Sequence, residues 1–247
     1  MSHDHHHNHA SPEADSVRDG IPWGLLLGLI GAVAICWLGA TGRLNLYIHP
    51  RYNLFTVVMA ALAALAAVAA WAIRGRSTAG GRGWAAGAAA VAMVVALLIV
   101  PPATLTSASA QQRSSNSGTD TDTTRLAGAD PSTFKLRDWA VLVGDPDSVA
   151  KYSGQQVKLT GFVTPTDDKR DGMFYLGRFV VTCCTVDARP VVVPIVTADW
   201  AKSYKPDHWL EVTGRLMPVE NAPGGAVLVV QPSDIKSIPT PDIPYEY

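Results

Sequence analysis

Two adjacent cysteines, Cys183 and Cys184, stand with Asp187 three residues beyond them in RFVVTCCTVDARPVVVPIV, a Val-rich segment running from Arg178 to Val196. Thiolate and carboxylate are credible zinc ligands. Such a site needs Cys184 and Asp187 to converge with Cys183 or His208. Two neighbouring thiols can also act as a redox pair, although the C-x-x-C spacing of dithiol enzymes is absent. A third reading is packing alone, with one thiol buried and the other partly exposed. On a regular strand the two side chains point to opposite faces, and a disulfide between neighbours closes a strained eight-membered ring. No nucleophile–His–Asp set, P-loop or dinucleotide fingerprint occurs in the chain, so it is not expected to be an enzyme.

A second group of ligand types opens the chain in MSHDHHHNHASPEADS. His3, His5, His6, His7 and His9 offer imidazole nitrogens that, with Asp4, suit zinc, nickel or copper. Asp4 and Asn8 interrupt the run, which distinguishes it from an uninterrupted hexahistidine tag. As a flexible tail over residues 1–20 it would collect metal at weak, exchangeable sites, because nothing around it fixes ligand geometry. The cofactor expected from both groups is zinc or another divalent transition metal.

The elements that must position the cysteines are strands. VKLTGFV and LEVTGRL are strands ending in glycine, MFYLGRFVVTC and RPVVVPIVT are rich in β-branched and aromatic residues, and GGAVLVVQPSDIKSI follows a Pro-Gly-Gly turn. About five strands in this stretch, with glycines where the chain must bend sharply, predict an all-β C-terminal domain over residues 134–247, an OB-like small barrel. A β-sandwich of similar strand count is the alternative. Ahead of the strands, FKLRDWAVLVGD is a short helical approach with Trp139 as a core anchor. An OB-like barrel raises the question of nucleic acid. Such binding needs a basic groove with exposed aromatics, whereas the basic residues here are matched by Asp and Glu and the whole chain carries a net charge of −1. No nucleic-acid partner is expected.

Upstream the composition changes. Between Pro22 and Leu105 the charged side chains are Arg43, Arg51, Arg74, Arg76 and Arg82, all lying between apolar runs. Three runs, about Pro22 to Ala40, Leu54 to Ile73 and Trp84 to Leu105, are long enough to cross a hydrocarbon core of about 30 Å. Residues 21–105 are thus predicted to form three transmembrane helices in a lipid bilayer, and residues 106–133, rich in Ser, Thr, Gly and Asp, a disordered linker. The third cysteine, Cys36, falls within the first run as a small apolar residue. The gap holding Arg74, Arg76 and Arg82 is more basic than the gap holding Arg43 and Arg51, which favours the former as cytoplasmic. The expected protein is therefore multi-pass, with a cytoplasmic N-terminus and an extracytoplasmic C-terminal domain. PPATLTSASAQQ, similar to the small-residue end of an export signal, puts that domain outside whether or not it is cut.

Four segments together carry a family resemblance: FYLGRFVVTCCTVDARPVVVPIV, WLEVTGRL, the terminal PDIPYEY, and GRLNLYIHPRYNLF between the first two runs. In content and order they resemble the YcgQ-type family of two-component membrane permease subunits. The family pattern, an Arg, a short apolar run and then C-x-x-D, falls on Arg178, Cys184 and Asp187. The position of Cys183 is taken there by Cys or His, an alternation that suits a metal ligand better than a disulfide. Arg178 enters as a partner-binding or structural residue. The resemblance implies a separate polytopic permease as partner and this chain as its accessory subunit. Three helices with no acidic residue and no lysine agree with that role, since they offer no ion path of their own. The competing function is a stand-alone, membrane-anchored metal-binding or thiol-redox module at the cell envelope.

Overall fold

The computed structural model describes residues 23–74, 88, 90–92, 94–95, 104–113, 126, 128–166, 172–220 and 222–247. The chain divides into two compact units. One is Met1–Trp37 with Val58–Pro101, the other Leu38–Val57 with Pro102–Tyr247. The loop between the first two apolar runs thus belongs to the same unit as the C-terminal domain.

The first apolar run forms helix α1, Trp23–Ala40, and the second forms α2, Asn53–Arg74. The three expected spans are met only in part. Pro50–Ala72 is long and apolar enough to cross a membrane, while Gly24–Ala40 is a shorter apolar helix. At about 1.5 Å per residue, the 18 residues of α1 reach roughly 27 Å, just under a hydrocarbon core of about 30 Å. Of the third run, residues 88, 90–92 and 94–95 are helical, Thr104 and Leu105 are not, and the rest lies outside the described residues. So does the His-rich tail with His3, His5, His6, His7 and His9.

The C-terminal domain is a five-stranded closed barrel of OB-like topology. Its strands are β1 (Gln156–Thr164), β2 (Met173–Val180), β3 (Arg189–Val196), β4 (Trp209–Pro218) and β5 (Leu228–Ser237). The order β1-β4-β5-β3-β2 closes through an additional β1–β2 pairing, and a two-residue strand β6, Tyr245–Glu246, adds to β2 in parallel. β3 reads as a nearly unbroken apolar run because both of its faces are buried.

Phe174, Leu176, Val191, Val193, Ile195, Leu210, Val212 and Val230 fill the core. Helix α4 (Leu136–Leu142) packs on it through Trp139, whose ring meets Phe134 at 5.2 Å and Tyr152 at 5.5 Å. A second apolar cluster contains Phe162, Phe179 and Trp209 together with Val181, Ala188, Tyr245 and Ala110. Ala110 belongs to α3, Ser107–Gln111, so part of the predicted linker is a short helix seated on the barrel. Ser107 N–H donates to Asp207 Oδ1 and the Arg113 guanidinium to Ala188 O, which fastens it there.

The two strand-ending glycines mark the barrel's corners. β1 pairs with β4 up to Phe162 and with β2 from Phe162 onward, and Gly161 sits at that changeover. The β4–β5 register shifts between Thr213 and Gly214. A Cβ would lie 2.5 Å from Gly177 O at the first position and 2.5 Å from Gln231 O at the second. Gly161→Ala and Gly214→Ala should each destabilise the domain by about 1–3 kcal/mol through overpacking. Gly144→Ala, where the nearest atom is 3.7 Å away, should stay close to wild type in the same denaturant titrations of the full-length protein.

Candidate functional site

The cysteines do not lie on a strand. β2 ends at Val180 and β3 begins at Arg189, leaving residues 181–188 as a loop. Val181 and Ala188 are buried in the second cluster and pin its ends. Between them Cys183 is exposed, Cys184 and Asp187 are half-buried, and Val186 projects fully at the tip. The strand-like composition of this stretch overran its pairing by three residues, because the chain bends where the ladder partner runs out.

Asp187 shapes the loop. Its carboxylate accepts Thr182 N–H on Oδ1 at 3.1 Å and Cys183 N–H on Oδ2 at 2.7 Å, and its own N–H donates to Cys184 O. Burial alone would raise this carboxyl. Hydrogen bonds from the Cys183 thiol and from the Cys183, Thr182 and Cys184 backbone outweigh burial and hold it below the usual aspartate value. The Cys183 thiol is pushed up to about 11, first by its hydrogen bond to Asp187 and then by its contact with Cys184. At neutral pH Cys183 is therefore protonated and is a poor nucleophile. The two sulfurs lie 3.6 Å apart on the same side of the chain.

Sequence reasoning missed what docks on this loop. Residues 41–52, between α1 and α2, run antiparallel to it in a single bridge between Ile48 and Cys184. His49 N–H donates to Cys183 O at 3.0 Å and Thr185 N–H to Tyr47 O at 2.9 Å. The Arg51 guanidinium adds a bond to Thr182 O at 3.2 Å. His49 caps the following turn by accepting Arg51 N–H on Nδ1, which leaves the neutral ring's proton on Nε2. Burial, then the nearby Arg51 charge, lowers the His49 pKa, with Asp187 pulling the other way. The only hint in the sequence was a loop with more His, Arg, Tyr and Asn than a simple tether needs.

The C-terminus completes the arrangement. Tyr247 packs against the His49 ring at 4.5 Å, tilted by 57°, and donates its hydroxyl to Asn45 O. Arg178 holds this tail: Nε donates to Pro244 O at 3.1 Å, Nη2 donates to Ile243 O at 2.7 Å, and Nη1 lies 3.7 Å from the Glu246 carboxylate. Glu246, also missed from sequence, is buried and accepts Leu136 N–H and Arg137 N–H at the start of α4. Burial raises its pKa against those hydrogen bonds and the Arg178 charge.

As ligands, the predicted residues converge incompletely. Two thiols 3.6 Å apart suit one edge of a tetrahedral zinc site, where Zn–S bonds of about 2.3 Å set the sulfurs about 3.8 Å apart. Both Asp187 oxygens are engaged by backbone N–H groups. Among the described residues no three His, Cys, Asp or Glu side chains are grouped to hold a metal ion, and His208 does not join the cysteines in one. A cleft of about 850 Å³ lies elsewhere on this unit, lined by Thr41, Arg43, Asn45, Leu46, Pro241 and Asp242 among others.

Residues 141–247 match the family described as the DUF1980 C-terminal domain. Among solved structures, an OBody, AM2EP06, bound to hen egg-white lysozyme is 13% identical with a TM-score of 0.28, covering 44% of this chain and 95% of that one. A DUF3299 family protein from Pseudomonas aeruginosa PAO1 is 19% identical with a TM-score of 0.23, covering 46% of this chain and 89% of that one. No curated protein matches. The barrel assignment rests on the strand order and closure, not on these likenesses.

Replacing the charged carboxylate should free the Cys183 thiol. In site-resolved alkylation of the wild type, the Cys183 rate should keep rising with pH towards about 11, and in Asp187→Asn it should level off nearer the ordinary 9.0. An unchanged profile would show that Asp187 does not control this thiol.

Proposed function

We propose that this chain is the accessory subunit of a two-component membrane permease, with its barrel outside the membrane, and that it handles a divalent transition metal such as zinc. The observation that carries the reading is the bridge between the loop joining α1 to α2 and the cysteine loop of the barrel. It links the connection between two apolar helices directly to the one place in the domain where thiols and a carboxylate meet.

Membrane parity supports the same reading. If α1 and α2 cross a bilayer, the loop between them and the barrel must lie on one side for the bridge to form. The chain then has to cross once more between α2 and residue 104, and the apolar run from Trp84 to Leu105 is suited to that crossing. Three crossings with the basic gap around Arg74, Arg76 and Arg82 inside put the barrel outside. α2 exposes Leu54, Phe55, Leu62, Leu65 and Trp71, which only lipid or another apolar chain can cover. Without an acidic residue or lysine these helices suit docking on a polytopic permease better than forming a path themselves.

The metal part of the proposal rests on the thiol pair alone. The cysteines would supply two donors, and the remaining positions would come from solvent or the partner, because this topology leaves the His-rich tail on the other side of the membrane. A photo-crosslinking residue at Leu62 or Leu65, activated in native membranes, should capture a multi-span permease. Crosslinks to lipid alone would leave a stand-alone module. Zinc titration of the full-length protein should show binding that weakens in Cys183→Ser and Cys184→Ser. Binding that survives both variants and vanishes on deletion of residues 1–20 would place the metal on the tail.

A further inference from the structure

The Cys183 and Cys184 sulfurs are 3.6 Å apart although neighbours on a strand point to opposite faces. The bend after Val181 brings them to one side, with Cys183 open to solvent. The peptide joining these two residues also belongs to the contact with the 41–52 loop. Its carbonyl, on Cys183, accepts His49 N–H, and the next free N–H, on Thr185, donates to Tyr47 O.

We propose that Cys183 and Cys184 are a reversible thiol–disulfide modification site, and that closing the vicinal disulfide releases the 41–52 loop from the barrel. The eight-membered ring would contain the Cys183 carbonyl carbon and the Cys184 nitrogen. Neighbouring Cα atoms are about 3.8 Å apart across a trans peptide, closer than the roughly 4.4–6.8 Å that disulfides span. Ring closure must therefore twist that peptide. Both flanks are held, upstream by the Asp187 carboxylate on the Thr182 and Cys183 N–H groups and downstream by the turn from Cys184 to Asp187. The distortion falls between them, on the carbonyl that receives His49.

The chemistry needs an external disulfide as oxidant. One cysteine thiolate attacks a sulfur of that disulfide, forming a mixed disulfide and expelling one thiolate, which takes up a proton. The second cysteine attacks the protein sulfur of the mixed disulfide and expels the other. Two protein thiols become one S–S bond, and the oxidant gains two electrons and two protons as two free thiols. Strain in the ring makes it readily reducible, so the dithiol is the resting form and the closed form is transient. Neither a permease partner nor a bound metal is needed for any of these steps.

The test uses the full-length protein carrying Cys36→Ser, so that Cys183 and Cys184 are its only thiols. After exposure to oxidised glutathione, its mass should fall by two hydrogens and both cysteines should resist alkylation. Deuterium uptake across residues 41–52 should accelerate roughly tenfold while strands β1–β5 hold their protection, and reductant should reverse both changes. Cys183→Ser and Cys184→Ser should abolish the response, each scored against unchanged strand protection. Stable glutathione adducts or interchain dimers without ring closure would overturn the proposal. So would a closed ring that leaves the 41–52 uptake unchanged.

Discussion

Two backbone hydrogen bonds, His49 N–H to Cys183 O and Thr185 N–H to Tyr47 O, hold a loop flanked by two apolar helices against the rim of a five-stranded barrel. Each such bond contributes about 0.5–1.5 kcal/mol net. The bridge is therefore strong enough to order the loop and weak enough to be opened by a local change. Arg51 and Tyr247 reinforce it from either side. Because the bridge is made by main-chain groups, it sets the register between the two segments without demanding a particular side chain at Ile48 or Cys184.

The cysteine loop is held in place by different contacts. Its ends are anchored by burial of Val181 and Ala188, and its middle is organised by one carboxylate. Asp187 satisfies two N–H groups that have left the β2 ladder and would otherwise have no partner in the protein. The same carboxylate keeps the neighbouring thiol protonated. A single aspartate thus both builds the turn and keeps the Cys183 thiol protonated, which explains its spacing from the cysteines without recourse to metal coordination.

The tail joins three distant parts of the chain. Arg178 on β2 grips the carbonyls of Ile243 and Pro244, Glu246 receives the first N–H groups of α4, and Tyr247 reaches the helix-connecting loop. A buried carboxylate at a helix start is favoured by the helix dipole and by its hydrogen bonds, which offset the cost of desolvation. Arg178, expected from the sequence to be a partner-binding or structural residue, holds the C-terminus.

The barrel was legible in the sequence because its strands alternate or run apolar and its corners need glycine, and both signals are local. Gly161 and Gly214 could be read from strand-then-glycine segments, and Trp139 from its place in an apolar helical approach. The apolar runs were equally plain, being a matter of composition. The sequence could not place loop 41–52 on the cysteine loop, since Ile48 and Cys184 are far apart in the chain and meet through main-chain atoms common to every residue. Nor could it put both sulfurs on one side, because that depends on where β2 loses its partner and the chain bends. What the sequence determined by itself were the elements and their chemistry, which local periodicity and composition encode. Only the tertiary structure decided which distant segments share hydrogen bonds, because barrel closure and the docking of the tail fix those distances.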